Sequence, residues 1–256
     1  MRVLVTGAGG FLGGHLARRL AGMGFDVVAT TRRSPVEPPT TDAAARRFRM
    51  ITDNVIATQA VVRHALATKT TTFVFLSSNS AFGTIRAPVL SEAEPSVDVD
   101  AYGATKLMGE RLLADVASDL PSLSIRLPAV IGRGSQRNWP SECLRKLKSN
   151  QPVEIFNPEA QFNNVVHEAD VAMLIGAAIR RGLSGADTVV VASAGTTTIE
   201  AAVGRMVERT RSTSPISSVR RDVISFVIDS RKASNLFDVM PMTVDAALDR
   251  FVGDNA

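Results

Sequence analysis

Arg2-Val3-Leu4-Val5-Thr6-Gly7-Ala8-Gly9-Gly10-Phe11-Leu12-Gly13 is the stretch that decides how this chain folds. Arg2 to Val5 is a short β-branched run, and it stops at a turn with glycines at 7, 10 and 13. Beyond the turn, apolar residues recur at Leu12, Leu16 and Leu20, the spacing of a helix face, until Gly22-Met23-Gly24 closes the segment. Phe25 to Thr30 is again apolar and partly β-branched. The whole predicts a βαβ unit in which the glycines sit where strand becomes helix.

That placement gives the glycines a physical task. Gly7 makes a tight turn, Gly10 keeps a side chain out of the way of an approaching pyrophosphate, and Gly13 lets the helix pack on the strand. Free N–H groups and the positive end of the helix dipole then hold phosphate, so a dinucleotide is the expected ligand. Such sites place an acid at the end of the second strand for a ribose 2′-hydroxyl, or an arginine for a 2′-phosphate. This chain has Thr30-Thr31-Arg32-Arg33. No acid is there to repel a phosphate, and a guanidinium grips one through paired charge-assisted bonds. NADP(H) is therefore the expected cofactor, with NAD(H) as the alternative.

Composition bounds the rest. The 256 residues are 45% hydrophobic and 21% charged, which suits a soluble globular enzyme with ample core. The formal net charge is +4, with both signs interleaved, so no nucleic-acid partner is expected. Cys143 is the only cysteine and there are three spaced histidines, which argues against a disulfide framework or a metal site. No charged leader precedes Arg2 and no apolar run reaches membrane-spanning length, so no membrane partner is expected and the cytoplasm is the default location.

Downstream, Pro35, Pro38 and Pro39 make residues 34–41 a loop, and residues 43–47 have room for a helical turn. A helix is expected over 52–68, with apolar positions Val55, Ile56, Val62 and Leu66. Thr72 to Leu76 is a continuous apolar strand that delivers Ser77-Ser78-Asn79-Ser80 to the sheet edge where ligands of open α/β folds bind. A helix over 100–116 follows, then a strand over 123–127. Later elements are a helix near 141–147, a strand over 153–156, helices over 168–180 and 198–210, a strand over 188–192, a polar loop over 211–218, a strand over 225–229 and a helix over 243–252. The expected division is a dinucleotide-binding core, 1–132, and a substrate lobe, 133–256, with elements returning to the core.

Tyr102-Gly103-Ala104-Thr105-Lys106 puts a phenol and an ammonium four apart on one helix face, and Tyr102 is the only tyrosine in the chain. A nearby positive charge favours phenolate, so the expected Tyr102 pKa lies below its ordinary value.

Taken in order, these motifs resemble the extended short-chain dehydrogenase/reductases, and within them the NAD-dependent epimerase/dehydratase group that modifies nucleotide sugars. The motifs are the glycine turn, Ser77-Ser78 with Ala81-Phe82-Gly83, Tyr102-x-x-x-Lys106, Arg126-Leu127-Pro128 with Gly132, and Val165-Val166-His167-x-x-Asp170-Val171-Ala172. The resemblance implies a Rossmann-type doubly wound parallel sheet with a small C-terminal α/β lobe. It makes Tyr102 the acid/base, Lys106 the group that holds the nicotinamide ribose and tunes Tyr102, and Ser78 the group that hydrogen-bonds the reacting oxygen. Cofactor binding would fall to Gly7, Gly10, Phe11, Leu12, Gly13, Thr31, Arg32, Ser77, Tyr102, Lys106 and Pro128. Substrate binding would fall to Ser78, Asn79, Ser80, Ala129, Arg133 and Asn163, with Arg137 as a further candidate. His167 and Asp170 read as a helix start, Asp being a favoured cap.

The implied activity is that of an NADP-dependent oxidoreductase or epimerase at a carbonyl or hydroxyl carbon of a sugar-like, nucleotide-linked small molecule. A homodimer through the helices containing Asn54 and Tyr102 is also implied. Three departures stand out. The family usually places two more strands between the segment ending at Arg33 and the helix containing Asn54, where this chain has only the Pro-rich stretch and residues 43–49. It is either a shortened member or a sequence lacking residues. Asn163 and Ala129 stand where many relatives carry arginine and asparagine. The alternative reading is a non-catalytic dinucleotide-binding protein.

Overall fold

The computed structural model describes residues 1–31 and 50–256. Arg32, Arg33, the Pro-rich loop and the turn expected over 43–47 lie outside the described residues. The N-terminal unit is β1 (Arg2–Val5), α1 (Phe11–Gly22) and β2 (Asp26–Ala29). Then come α2 (Ala57–Ala67), β3 (Phe73–Ser78), β4 (Val89–Leu90), α3 (Ala101–Asp115), β5 (Ser122–Leu127) and β6 (Ala129–Ile131). The second half holds α4 (Trp139–Lys148), β7 (Val153–Phe156), β8 (Gln161–Phe162), β9 (Val165–His167) and α5 (Glu168–Arg181). It continues with β10 (Ala186–Val190), β11 (Thr197–Thr198), α6 (Ile199–Thr210), β12 (Ile216–Val219), β13 (Val227–Ile228), α7 (Arg231–Phe237) and α8 (Val244–Asp254).

The fold is a Rossmann-type, doubly wound parallel sheet. Leu16 and Leu20 of α1 are buried with Val5, Ile125, Val171, Ile175 and Phe237, so α1, α5 and α7 cover one face. Burial of each such side chain contributes about 1.5–3 kcal/mol. On the opposite face, Val62 and Ala65 of α2 and Leu113 of α3 pack with Phe75 of β3. A second core joins Leu144 and Leu147 of α4, Ile155 of β7, Met206 of α6 and Phe251 of α8.

Among the described residues the central sheet is in two pieces: β1 pairs with β2, and β5 lies between β3 and β10, all in parallel. A six-stranded sheet of this class runs 3-2-1-4-5-6, with the fourth strand beside the first. The break between β1 and β3 therefore falls where the second of the two expected additional strands would lie. Leu4 and Val28 are 44% and 42% exposed, unlike strand residues covered on both sides.

Several local readings change. The first turn of the expected 52–68 helix is π-helical, Thr52–Ile56, and Ile56 is exposed while Val62 is buried. Part of the loop expected over 211–218 is strand β12, an exposed edge that pairs with β7. The strand expected over 188–192 is displaced to Ala186–Val190, and α7 adds a helix. The cap of α5 is His167, whose Nδ1 accepts from Ala169 N–H at 3.2 Å, whereas Asp170 accepts from Met242 N–H at 3.2 Å.

Asp249 of α8 is gripped by Arg209 and Arg205 of α6 at 2.5 and 2.7 Å, which brings its pKa down to about 2 from 3.8. The ionised form is favoured in the folded state, so this stabilisation is complete above the ordinary value and is lost as pH falls from about 4 towards 2. Asp249→Asn should lower the melting temperature at pH 7 and narrow its gap to wild type as pH approaches 2. A pH series of thermal melts checks this; a gap independent of pH would contradict it.

Candidate active site

The glycine turn has the geometry a dinucleotide needs. Gly7 sits at φ +68°, the left-handed region, and a Cβ on Gly13 would stand 2.3 Å from the Gly7 carbonyl oxygen, so helix and turn approach as closely as backbones can. Gly10 caps α1 in extended conformation with no side-chain bond, and the first turn of α1 carries no acid. Its unsatisfied N–H groups therefore remain available to an anion. Ala8 N–H donates to Thr30 O at 2.9 Å, which brings the end of β2 and Thr31 beside the turn.

A cavity of about 630 Å³ opens at the C-terminal ends of β3 and β5. Phe11 and Leu12 line it from α1, Ser77, Ser78, Asn79 and Ser80 from the end of β3, and Tyr102 and Lys106 from α3. Pro128 and Ala129 follow β5, and Arg137 enters from the next loop. Ten of the residues assigned from sequence, with Arg137, thus meet in one place. Gly7, Gly10, Gly13 and Thr31 stand outside the lining, and Arg32 lies outside the described residues.

Two of the residues assigned to substrate lie apart from the cavity lining. Asn163 is 5% exposed, and its amide holds both sides of Ile228, donating to the carbonyl at 2.8 Å and accepting from the N–H at 2.8 Å. It is a clamp between strands and offers nothing to a substrate, whereas its neighbour Asn164 lines the cavity. Arg133 is exposed away from the lining, where its carbonyl accepts from His15 Nε2 at 2.9 Å. Phe226 and Gln136 complete the outer wall, positions no local pattern singled out.

Local structure explains how α3 meets β3. Asp100 caps the helix by accepting from Gly103 N–H at 2.7 Å. A Cβ on Gly103 would lie 2.0 Å from Ser80 O, so the missing side chain lets the 3₁₀ turn Asn79–Phe82 lie against the first turn of α3. Ser78 Oγ accepts from Ser80 N–H at 3.1 Å, which fixes its hydroxyl at the head of the turn.

The electrostatics run against expectation at one point. Lys106 Nζ donates to Leu76 O at 3.0 Å and stands 5.7 Å from the centre of the Tyr102 ring. Burial raises the Tyr102 phenol above its ordinary value, the Ser78 hydroxyl opposes this, and Asp100 adds to it. Tyr102 is therefore protonated at neutral pH rather than poised as phenolate. Burial lowers Lys106, partly offset by Glu110.

Elsewhere, His167, Glu168 and Asp254 come within 4.8 Å of one another. Their atoms have other uses: Glu168 accepts from Nε and Nη2 of Arg19, each at 2.5 Å, and His167 Nε2 donates to Asp254 at 3.1 Å. Cys143 is buried in the second core beside Leu144 and Leu147, and its thiol is pushed up to about 12, which makes it a poor nucleophile.

Fold and cavity together define the class: an α/β protein with a dinucleotide turn and a Ser, Tyr and Lys at the carboxyl edge of its sheet. The sequence model of the NAD dependent epimerase/dehydratase family matches residues 3–49 and 40–192, and the chain belongs to that family. The two matched stretches meet over residues 40–49, at the shortened region.

The dTDP-4-dehydrorhamnose reductase of Burkholderia thailandensis is 30% identical over 185 residues. That alignment takes in 60% of this chain and only 58% of the relative's length. In fold the chain is similar to the UDP-glucuronic acid 4-epimerase from Bacillus cereus solved with NAD (TM-score 0.83, 17% identity, 99% of this chain and 98% of that one). It is also similar to MoeE5 in complex with UDP-glucose and NAD (0.81, 23%, 99% and 98%) and to RMD from Pseudomonas aeruginosa complexed with NADPH (0.79, 17%, 99% and 98%).

Proposed function

We propose that this protein is an NADP(H)-dependent oxidoreductase acting on a carbonyl carbon of a sugar-like, nucleotide-linked substrate. The observation that carries the reading is the convergence of Ser78, Tyr102 and Lys106 in one cavity beside the start of α1. When bound, a nicotinamide dinucleotide supplies or accepts the hydride. Tyr102 gives its phenolic proton to the carbonyl oxygen, Ser78 hydrogen-bonds that oxygen, and Lys106 holds ribose and charge near the phenol. Asn79, Ser80, Ala129 and Arg137 surround the substrate, with Asn164 in the place first given to Asn163. The relative's name, a reductase of a dTDP-linked keto sugar, makes that class the first to assay.

Two features favour reduction within the family's range. The Tyr102 phenol carries its proton at neutral pH, as a donor to a reduced carbonyl must. Among the described residues, the cavity's titratable side chains are Tyr102, Lys106 and Arg137, with no carboxylate. Elimination of water needs a second acid/base group to take a ring proton and protonate the departing hydroxyl, so dehydration is disfavoured. An epimerase, which keeps its cofactor and returns the hydride, uses the same groups and is the second reading.

We further propose a core of 1–132 and a substrate lobe of 133–256, and a homodimer through α3 and the helical segment containing Asn54 that leads into α2, where Ile51, Ile56 and Met108 are 47%, 54% and 54% exposed. No helix among the described residues is long and apolar enough to cross a membrane, and the cytoplasm is the proposed location. The cofactor preference rests on Arg32. NADPH should bind at least about tenfold more tightly than NADH, and Arg32→Ala should remove most of that difference, one charge-assisted contact being worth about 1.5–3 kcal/mol. Fluorescence titration decides this; equal affinities would overturn it.

A further inference from the structure

We propose that Glu110 is a positioning residue for the reaction: its buried carboxylate joins the walls that carry Ser78, Tyr102 and Pro128, and places a negative charge one helical turn from Lys106. The proposal rests on the catalytic reading of Ser78, Tyr102 and Lys106.

Tyr102, Lys106 and Glu110 stand at i, i+4 and i+8 on α3, one face of the helix. The Glu110 side chain is 10% exposed, and its hydrogen-bond partners come from the ends of two strands, β3 and β5. Its Oε1 accepts from Ser77 Oγ at 2.5 Å, the residue before Ser78. Arg126 Nε donates to Oε1 at 3.0 Å and its terminal nitrogen to Oε2 at 2.7 Å, two residues before Pro128. The same guanidinium lies 4.3 Å from the ring centre of Phe82, which is fully buried and ends the turn that begins at Asn79. One carboxylate thus ties α3, the end of β3, the end of β5 and, through Arg126, the turn after Ser78.

Stability alone is a poor reason for this arrangement, since a buried ion pair gains little over well-packed apolar residues of the same size. Register is a better reason. Lys106 is faced by Tyr102 and Glu110 of its own helix, by the Leu76 carbonyl and the Phe75 ring of β3, and by Arg126 of β5 behind Glu110. Asp53 lies on the turn that packs on α3 through the Asn54–Thr105 hydrogen bond. Glu110 acts to keep Lys106 charged against its burial.

The test uses full-length Glu110→Gln and the double variant Glu110→Gln/Arg126→Met, which removes both charges of the buried Glu110–Arg126 pair together, so that neither is left without its partner, and keeps a folded protein for measurement. ¹³C NMR of labelled lysine side chains gives the Lys106 titration midpoint, with Lys106→Arg identifying its signal; melting temperature and turnover are recorded alongside. In Glu110→Gln the Lys106 midpoint should fall by about one pH unit, the scale of a lost neighbouring opposite charge, and in the double variant it should fall by less, because the Arg126 cation leaves with the carboxylate. Turnover should fall at least about tenfold and stay low when the double variant recovers its melting temperature. A Lys106 midpoint equal to wild type in Glu110→Gln, or turnover that recovers with the melting temperature in the double variant, overturns the proposal and leaves Glu110 a packing ion pair. Absence of turnover in wild type with a shifted midpoint would instead refute the catalytic reading while upholding the charge coupling between Glu110 and Lys106.

Discussion

Tyr102→Phe should lower turnover by about 10²-fold or more while leaving NADPH affinity within about threefold. The substitution removes one oxygen and nothing else. Among the described residues Tyr102 is the only phenol, thiol, carboxyl or imidazole lining the cavity, and the other lining group with an accessible titrating proton, Lys106, is held to the Leu76 carbonyl. Two companions sharpen the reading. Lys106→Ala should damage both turnover and cofactor affinity, because one ammonium holds ribose and sets the charge near the phenol. Ser78→Ala should cost turnover without moving the pH optimum, since an orienting hydroxyl carries no titrating charge. Steady-state kinetics over a pH series separate the three; full activity in Tyr102→Phe would move the acid/base role to another group.

Gly103→Ala should be nearly as damaging, for a steric reason. The new Cβ would stand 2.0 Å from Ser80 O, 2.7 Å from its carbonyl carbon and 2.6 Å from Val99 Cγ1. Backbone cannot yield cheaply, so the turn carrying Ser78 and the helix carrying Tyr102 must separate. Misplacement of reacting groups by about 1 Å costs on the order of 10²-fold. NADPH affinity should fall less than turnover, because the turn from Gly7 to Gly13 is untouched while Lys106 shifts with its helix. Gly204→Ala is the matched control: it too is a helix glycine, but its added Cβ would meet nothing within 4 Å. That variant should keep full turnover and gain up to about 1 kcal/mol from the better helix former. Equal losses in the two variants would contradict the steric account.

The parts of this fold written in local periodicity were legible from sequence. The spacing of Leu12, Leu16 and Leu20 between glycine turns marks a βαβ unit without reference to any partner, and Leu16 and Leu20 are buried where that spacing puts them. The Tyr102–Lys106 pair was legible because four residues on a helix is one turn. Asn163 and Asn164 show the limit. Adjacent positions in an extended segment face opposite ways, and which side meets the cavity depends on Ile228, 65 residues later in the chain. The Tyr102 phenol is a second case: sequence spacing shows a nearby ammonium, but neither the burial nor the Leu76 carbonyl that holds that ammonium. Strand β12 read as a polar loop because its four residues are all exposed and gain strand structure only by pairing with β7. Gly103 sat inside a motif already noticed, yet its task is defined by a turn from another part of the chain.

The shortened region connects sequence, sheet and function. The short spacing before Asn54, the break between β1 and β3 among the described residues, and the two-part family match all fall at one place. The carboxyl edge there is where a dinucleotide crosses the sheet. What the glycine turn, Tyr102 and Lys106 accomplish beside that edge is the central question of function. Consumption of NADPH, followed by its absorbance in the presence of nucleotide-linked keto sugars, answers it most directly. The account predicts substrate-dependent oxidation of NADPH, at least about tenfold faster than of NADH at limiting cofactor, and loss of about 10²-fold in Tyr102→Phe. NADPH that binds in titration but is never consumed with any such sugar would contradict it, and would identify the protein as a dinucleotide-binding protein without this chemistry.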